Sequence, residues 1–99
     1  MPRPHKRRCV RGSPSSYYFK PAGIRKMDML EVILSASEFE SIRLKDFLEL
    51  DQVECALNMG ISQPTFHRLL FIARKKIADA IVEGKAIKIE SYDVSFKSK

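Results

Sequence analysis

The sequence predicts a mainly α-helical fold. It consists of a three-helix core holding a helix-turn-helix, a small β-element from the flanking segments, and an extended basic N-terminal arm. Three observations predict it. Two capped, apolar-periodic segments meet at Gly60-Ile61-Ser62, which leaves room only for a tight turn. Residues 63–83 carry a sustained helical apolar stripe. Residues 1–16 combine three of the five prolines with a cluster of Arg and Lys and almost no apolar side chains. At 99 residues, 44% of them hydrophobic, the chain fills one domain and not two. The expected divisions are a basic arm and extended segment over 1–26, a helix-turn-helix domain over 27–90 and a polar tail over 91–99.

The elements follow in order. Tyr17-Tyr18-Phe19 is an aromatic knot, and Lys20-Pro21-Ala22-Gly23 reads as a turn. Met29 to Leu34 is apolar and partly β-branched, as a strand requires. Ser35-x-x-Glu38 is a capping box, and Ser37-x-x-Glu40 offers another frame; either starts a first helix through Phe39, Ile42 and Phe47. Asp51 caps a second helix whose inner face is Val53, Ala56 and Leu57, and Gly60 ends it. Ser62 caps the third, with Pro64 in the first turn, where its missing N–H costs nothing. Phe66, Leu69, Leu70, Ala73, Ile77, Ala80 and Ile81 form the stripe of this third helix, about Gln63 to Glu83, and Gly84 stops it. Ala86 to Glu90 alternates as a short strand, with the 31–34 segment as its partner.

Charge narrows the function. The formal net charge is +6, which favours anionic partners. Residues 1–26 hold eight Lys/Arg and no acid, residues 27–60 eight acids against two bases, and residues 61–99 eight bases against four acids. An acidic middle turned away from a phosphate backbone suits that split. No apolar run approaches the roughly 20 residues of a membrane span, so no membrane partner is expected. Cys9 and Cys55 read as free thiols of a reducing, cytoplasmic compartment. His5, His67, Cys9 and Cys55 have no metal-ligand spacing, and no nucleophile set, paired carboxylate or phosphate loop stands out. The expectation is therefore a protein that is not an enzyme and needs no cofactor or metal.

The tight bend leaves the first turns of the third helix projecting, where they can enter a major groove. The alternative is a plain helical hairpin in a bundle. With Phe66 inward, Pro64, His67, Arg68, Phe71 and Lys75 lie on the opposite face, with Ser62 and Gln63 at the helix tip. Ser62, Gln63, Pro64, His67, Arg68 and Phe71 are the base-contact candidates: Arg68 can pair bidentately with guanine and Gln63 with adenine. Phosphate candidates are Arg3, Lys6, Arg7 and Arg8 of the arm, Gln52, Thr65, and the Arg74-Lys75-Lys76 run. The arm resembles those that other helix-turn-helix proteins lay in the minor groove. Phe71, Ile72 and Val82 are apolar on the outer side of the third helix, which suggests cover by the aromatic N-terminal segment or by a second subunit; the strand edge at Ala86 to Glu90 is a further contact surface.

The opening Met-Pro-Arg-Pro, the string Phe19-Lys20-Pro21-Ala22-Gly23-Ile24, the segment Ser37-Glu38-Phe39-Glu40-Ser41-Ile42-Arg43-Leu44 and the helix-turn-helix together resemble a family of small, uncharacterised prokaryotic proteins described as predicted DNA-binding. The resemblance spans about residues 1–90, and the Phe-Lys-Pro-Ala-Gly-Ile string is its most specific part. Some family members carry further cysteines in the arm, where this chain has only Cys9, and this argues against metal or redox sensing. The turn region is also similar to the promoter-reading fourth region of bacterial sigma factors. That resemblance implies a sigma region-four-like core and a role in transcriptional control. The expected function is sequence-specific duplex DNA binding, with a homodimer as a candidate assembly. The alternatives are a module that docks on RNA polymerase, and RNA binding through the arm and the Tyr17-Tyr18-Phe19 aromatics.

Overall fold

A computed structural model of the chain describes residues 9–25 and 29–91. The arm cations Arg3, Lys6, Arg7 and Arg8, together with the tail after Ser91, lie outside them. The described order is β1 (Tyr18–Phe19), β2 (Glu31–Leu34), α1 (Ala36–Ile42), a π-helical turn (Arg43–Phe47), α2 (Gln52–Met59), α3 (Gln63–Glu83) and β3 (Ala86–Ile89). The fold is mostly helical, with a small three-stranded sheet.

The sheet has the order β1-β3-β2. β3 pairs antiparallel with β1, Tyr18 opposite Lys88, and parallel with β2, Val32 opposite Ile87 and Leu34 opposite Ile89. A parallel pair needs a long crossover, and here the whole helical unit between Leu34 and Ala86 is that crossover. β3 is thus the middle strand. The expectation of a free strand edge at Ala86 to Glu90 is corrected, because both sides of that strand are already paired. β2 alternates, with Val32 and Leu34 buried and Glu31 and Ile33 exposed, as a strand covered on one face must. The aromatic knot was not expected to be a strand. Tyr18 and Phe19 belong to the sheet, so the folded unit includes residues of the segment read as an arm.

Ser35 closes a full capping box: its Oγ accepts from the Glu38 N–H (3.1 Å), and its own N–H donates to Glu38 Oε1 (2.9 Å). The alternative frame at Ser37 and Glu40 falls inside α1, where both side chains are buried. The first helix does not run through Phe47 as one α-helix. After Ile42 it widens into the π-helical turn, closed by Leu48 N–H to the Arg43 carbonyl (2.8 Å). The wider turn keeps Leu44 in the core and leaves Phe47 77% exposed.

The core has two joined parts. Leu44, Cys55, Ala56, Met59, Phe66, Leu69 and Leu70 pack between α2 and α3. Leu34, Ala73 and Ile89 pack the sheet on the helices, and Ile42 touches both groups. Phe66 is fully buried, which contributes about 1.5–3 kcal/mol. The inner face of α2 is Cys55, Ala56 and Met59, not Val53, Ala56 and Leu57: Val53 is 49% and Leu57 74% exposed. Ala56 fits either stripe. Packing in one cluster with Leu44, Phe66, Leu69 and Leu70 sets the rotation of α2 that buries Cys55 and Met59. Ile81 also leaves its expected stripe and is 73% exposed.

Candidate nucleic-acid interface

The α2–α3 junction is held by local bonds that the residues themselves supply. Asp51 caps α2 through the Glu54 N–H (2.8 Å). Gly60 takes the left-handed conformation (φ 67°), its N–H reaching the Leu57 carbonyl (3.1 Å) and that of Ile61 reaching Ala56 (3.1 Å). This pair of bonds is a Schellman motif, and Ile61 folds back on the core behind it. One residue later Ser62 Oγ accepts from the Thr65 N–H (3.2 Å) and starts α3.

Gln63, Pro64, His67, Arg68, Phe71 and Lys75 are all exposed. Pro64, Arg68, Phe71 and Lys75 share the side of α3 away from Phe66, and His67 and Gln63 flank it near the tip. Ser62 is exposed, but its hydroxyl serves the cap and donates to Thr65 Oγ1 (2.9 Å). Arg68 is only loosely held, its Nη2 lying 3.4 Å from Thr65 Oγ1. Gln52 opens α2 half-buried, between Asp51 and Glu54.

The Arg74-Lys75-Lys76 run divides. Arg74 donates both Nε and Nη2 to Asp46 (3.1 and 2.6 Å), bridging α3 to the π-helical turn. The Arg74 guanidinium holds the Asp46 carboxyl below its ordinary value. The pair is exposed, so it is worth about 0–1 kcal/mol and a phosphate can compete for the arginine. Lys75 projects to solvent. Lys76 is turned inward: its Nζ donates to the Ile33 carbonyl (2.7 Å) and to Glu38 Oε1 (2.8 Å), tying α3 to β2 and α1. Lys76 therefore leaves the phosphate set.

Sequence reasoning missed a second constellation beside the turn. Glu40 is buried and accepts from Arg43 Nε (2.8 Å) and Nη2 (2.8 Å), and also from the N–H groups of Arg11 (3.1 Å) and Gly12 (3.2 Å). Burial pushes its carboxyl up. The Arg43 bonds, the two N–H groups and the Arg43 charge outweigh that and hold it below the ordinary value. The Cys9 N–H meets the Met59 carbonyl (3.1 Å). Only the Glu40–Arg43 spacing was visible in the sequence; the partners from residues 11 and 12 were not.

The outer apolar residues of α3 stay open. Phe71 is 67% and Val82 78% exposed. The aromatic N-terminal segment covers neither: Phe19 and Pro21 line a shallow groove with Ala80, Ile81 and Ile87 instead. Among the described residues, no three His, Cys, Asp or Glu side chains cluster as a metal site would, and no helix is long and apolar enough to cross a membrane. Cys9 and Cys55 are both free thiols.

The family "Protein of unknown function DUF134" matches residues 1–97. The chain is 56% identical over 90 residues to a UPF0251 protein of Caldanaerobacter subterraneus subsp. tengcongensis, a match covering 91% of this chain and 76% of that one. It is 52% identical over 90 residues to a UPF0251 protein of Thermoanaerobacter pseudethanolicus, with 91% and 76% covered. A UPF0251 protein of Dehalococcoides mccartyi is 51% identical over 90 residues, with 91% and 77% covered. No solved structure matches the chain significantly.

Proposed function

This chain belongs to the protein family DUF134, and we propose that it binds duplex DNA sequence-specifically as a cytoplasmic transcriptional regulator. The observation that carries this reading is the junction at Gly60. A Schellman turn and a Ser62 cap join α2 to α3 over a buried Phe66, and the opposite side of α3 stays exposed and polar at its start. The rigid turn presents that end as a fixed wedge, as the second helix of a helix-turn-helix is presented to a major groove. Gln63, Pro64, His67, Arg68 and Phe71 are the base-side groups, with Ser62 positioning them through the cap. Arg68 is free to swing onto a guanine edge. Lys75, Thr65, Gln52 and Arg74 serve the phosphates, Arg74 by exchanging Asp46 for a phosphate oxygen. The likeness of the turn to the fourth region of sigma factors supports the regulatory role.

Selection of bound sequences from a random duplex pool, with structured RNA as competitor, tests the reading. The expected result is an enriched motif that duplex displaces and RNA does not. Failure to enrich any duplex sequence, or displacement by RNA alone, overturns it.

A further inference from the structure

We propose that Asp46 is a positioning residue that withholds Arg74 from random DNA, so that this arginine meets a phosphate only once α3 is seated on its preferred sequence. The inference rests on the duplex-DNA reading above, and it adds a discriminating residue that touches no base. The Asp46 carboxylate presents one oxygen to each donor of the guanidinium fork: Oδ2 accepts from Arg74 Nε (3.1 Å) and Oδ1 from Nη2 (2.6 Å). A phosphate offers an arginine the same two-oxygen edge, so Asp46 stands where a phosphate would bind. The π-helical turn supplies this carboxylate. It keeps Leu44 in the core and brings Asp46, two residues on, to Arg74 at the surface. Such turns recur at functional sites.

Two features separate this pair from one that only ties the fold. The first is exposure. The Arg74 side chain is 53% exposed and that of Asp46 39%, so both return to water at little cost when the pair opens. Glu40, 1% exposed on Arg43, has no such freedom. The second is position. Arg74 follows His67 by seven residues, so it stands within about 20° of it around the helix and roughly 10.5 Å further along. It continues the side of α3 that begins with Gln63 and His67, at the level where a reading helix leaves the groove and meets the backbone. Asp46 competes for Arg74 from within the same molecule, at an effective concentration that a loosely held phosphate does not match. A phosphate fixed beside α3 by the seated helix does match it. On random duplex Arg74 therefore stays with Asp46, and on the preferred duplex it changes partner.

The experiment compares the full chain with Asp46→Asn, Arg74→Ala and the double variant, on a selected duplex and on a scrambled one. Without DNA, the NMR signal of the Arg74 Nε–H reports the pair itself. It should be sharp in the wild type and broadened by exchange with water in Asp46→Asn. On the scrambled duplex, Asp46→Asn should steepen the fall of log K with log salt by about 0.9, one phosphate contact, which is a further loss of about 3.5-fold between roughly 50 and 200 mM salt. On the selected duplex its slope should equal that of the wild type, because Arg74 is on a phosphate in both. Arg74→Ala should do the reverse, flattening the slope on the selected duplex by about 0.9 and leaving the scrambled one unchanged. In the double variant the steepening on the scrambled duplex should vanish. Both positions are exposed, so circular dichroism should show wild-type helix content throughout. An Arg74 Nε–H that exchanges freely in the wild type would overturn the proposal. So would equal slopes for wild type and Asp46→Asn on the scrambled duplex, or a steepening that persists without Arg74. A wild-type protein that binds neither duplex would overturn the duplex-DNA reading, and the role of Asp46 with it, even where the Nε–H signal shows the pair intact.

Discussion

Arg68 and Lys75 stand on one side of α3 about two turns apart, roughly 10.5 Å along the axis. Arg68 lies one turn inside the helix, where a long side chain meets base edges. Lys75 lies where the helix leaves the groove. Arg68→Ala is expected to cost about 1–3 kcal/mol on the preferred duplex and to relax the preference at one base pair. Lys75→Ala should weaken preferred and scrambled duplexes alike and lower the salt slope by about one unit. Both positions are exposed, so alanine leaves the helix intact. Titration of both variants against both duplexes checks the pair. An equal loss on both duplexes from Arg68→Ala would pass the base-reading role to Gln63 or His67.

At the scale of elements, the α2–α3 corner depends on one backbone conformation. Gly60 is left-handed and has no close neighbour for a Cβ nearer than Cys9 Sγ at 4.0 Å, so Gly60→Ala isolates the backbone term. It should cost about 1–2 kcal/mol and lower the melting temperature by several degrees, read by thermal circular dichroism. The junction of α1 with the chain at residues 11 and 12 is sensitive to acid. The Glu40 carboxyl is depressed in the folded state, so its contribution is complete above the unfolded value of about 4.3 and is lost as pH falls through the lower folded value. Glu40→Gln, which leaves donors of Arg43, Arg11 and Gly12 unmatched, should cost about 1–3 kcal/mol at neutral pH. The gap between wild type and variant should close below the ordinary carboxylate range, as urea unfolding at several pH values will show. A gap that persists unchanged at low pH would mean that the ionised carboxylate is not what stabilises the junction.

For the whole molecule, Arg68, Arg74, Lys75 and Lys76 lie on α3, while Glu38 and Glu40 lie on α1, Asp46 on the π-helical turn, Glu54 on α2 and Glu31 on β2. If about six phosphates are neutralised, log K should fall with log salt at a slope of about −5, measured by titrating a labelled duplex at several salt concentrations. A flat response would remove the phosphate contacts from the account. A single small domain reads few base pairs, and among the described residues Ile72, Ile81 and Val82 remain exposed on α3. We expect two copies on a pseudo-palindromic duplex with half-sites about one helical turn apart, as light scattering of the complex will measure. A strict one-to-one complex would assign those residues to the groove or to solvent.

The sequence by itself determined what short-range chemistry controls. The caps at Ser35, Asp51 and Ser62, the stops at Gly60 and Gly84 and the 63–83 span of α3 all follow from bonds between residues at most five apart. The surface side of α3, and with it most of the candidate contacts, follows from the same helical period. The tertiary structure alone decided what distant residues negotiate. It turned α2 so that Cys55 and Met59, not Val53 and Leu57, face Phe66. It made β3 the middle strand by pairing Tyr18 with it across the domain. It drew Lys76 inward to Ile33 and Glu38, 43 and 38 residues away. It closed Glu40 on Arg11 and Gly12, 29 and 28 residues away. No local pattern encodes these, because a half-buried cation or a buried carboxylate takes whichever partner the packed chain brings within reach, and that choice exists only once the core has formed.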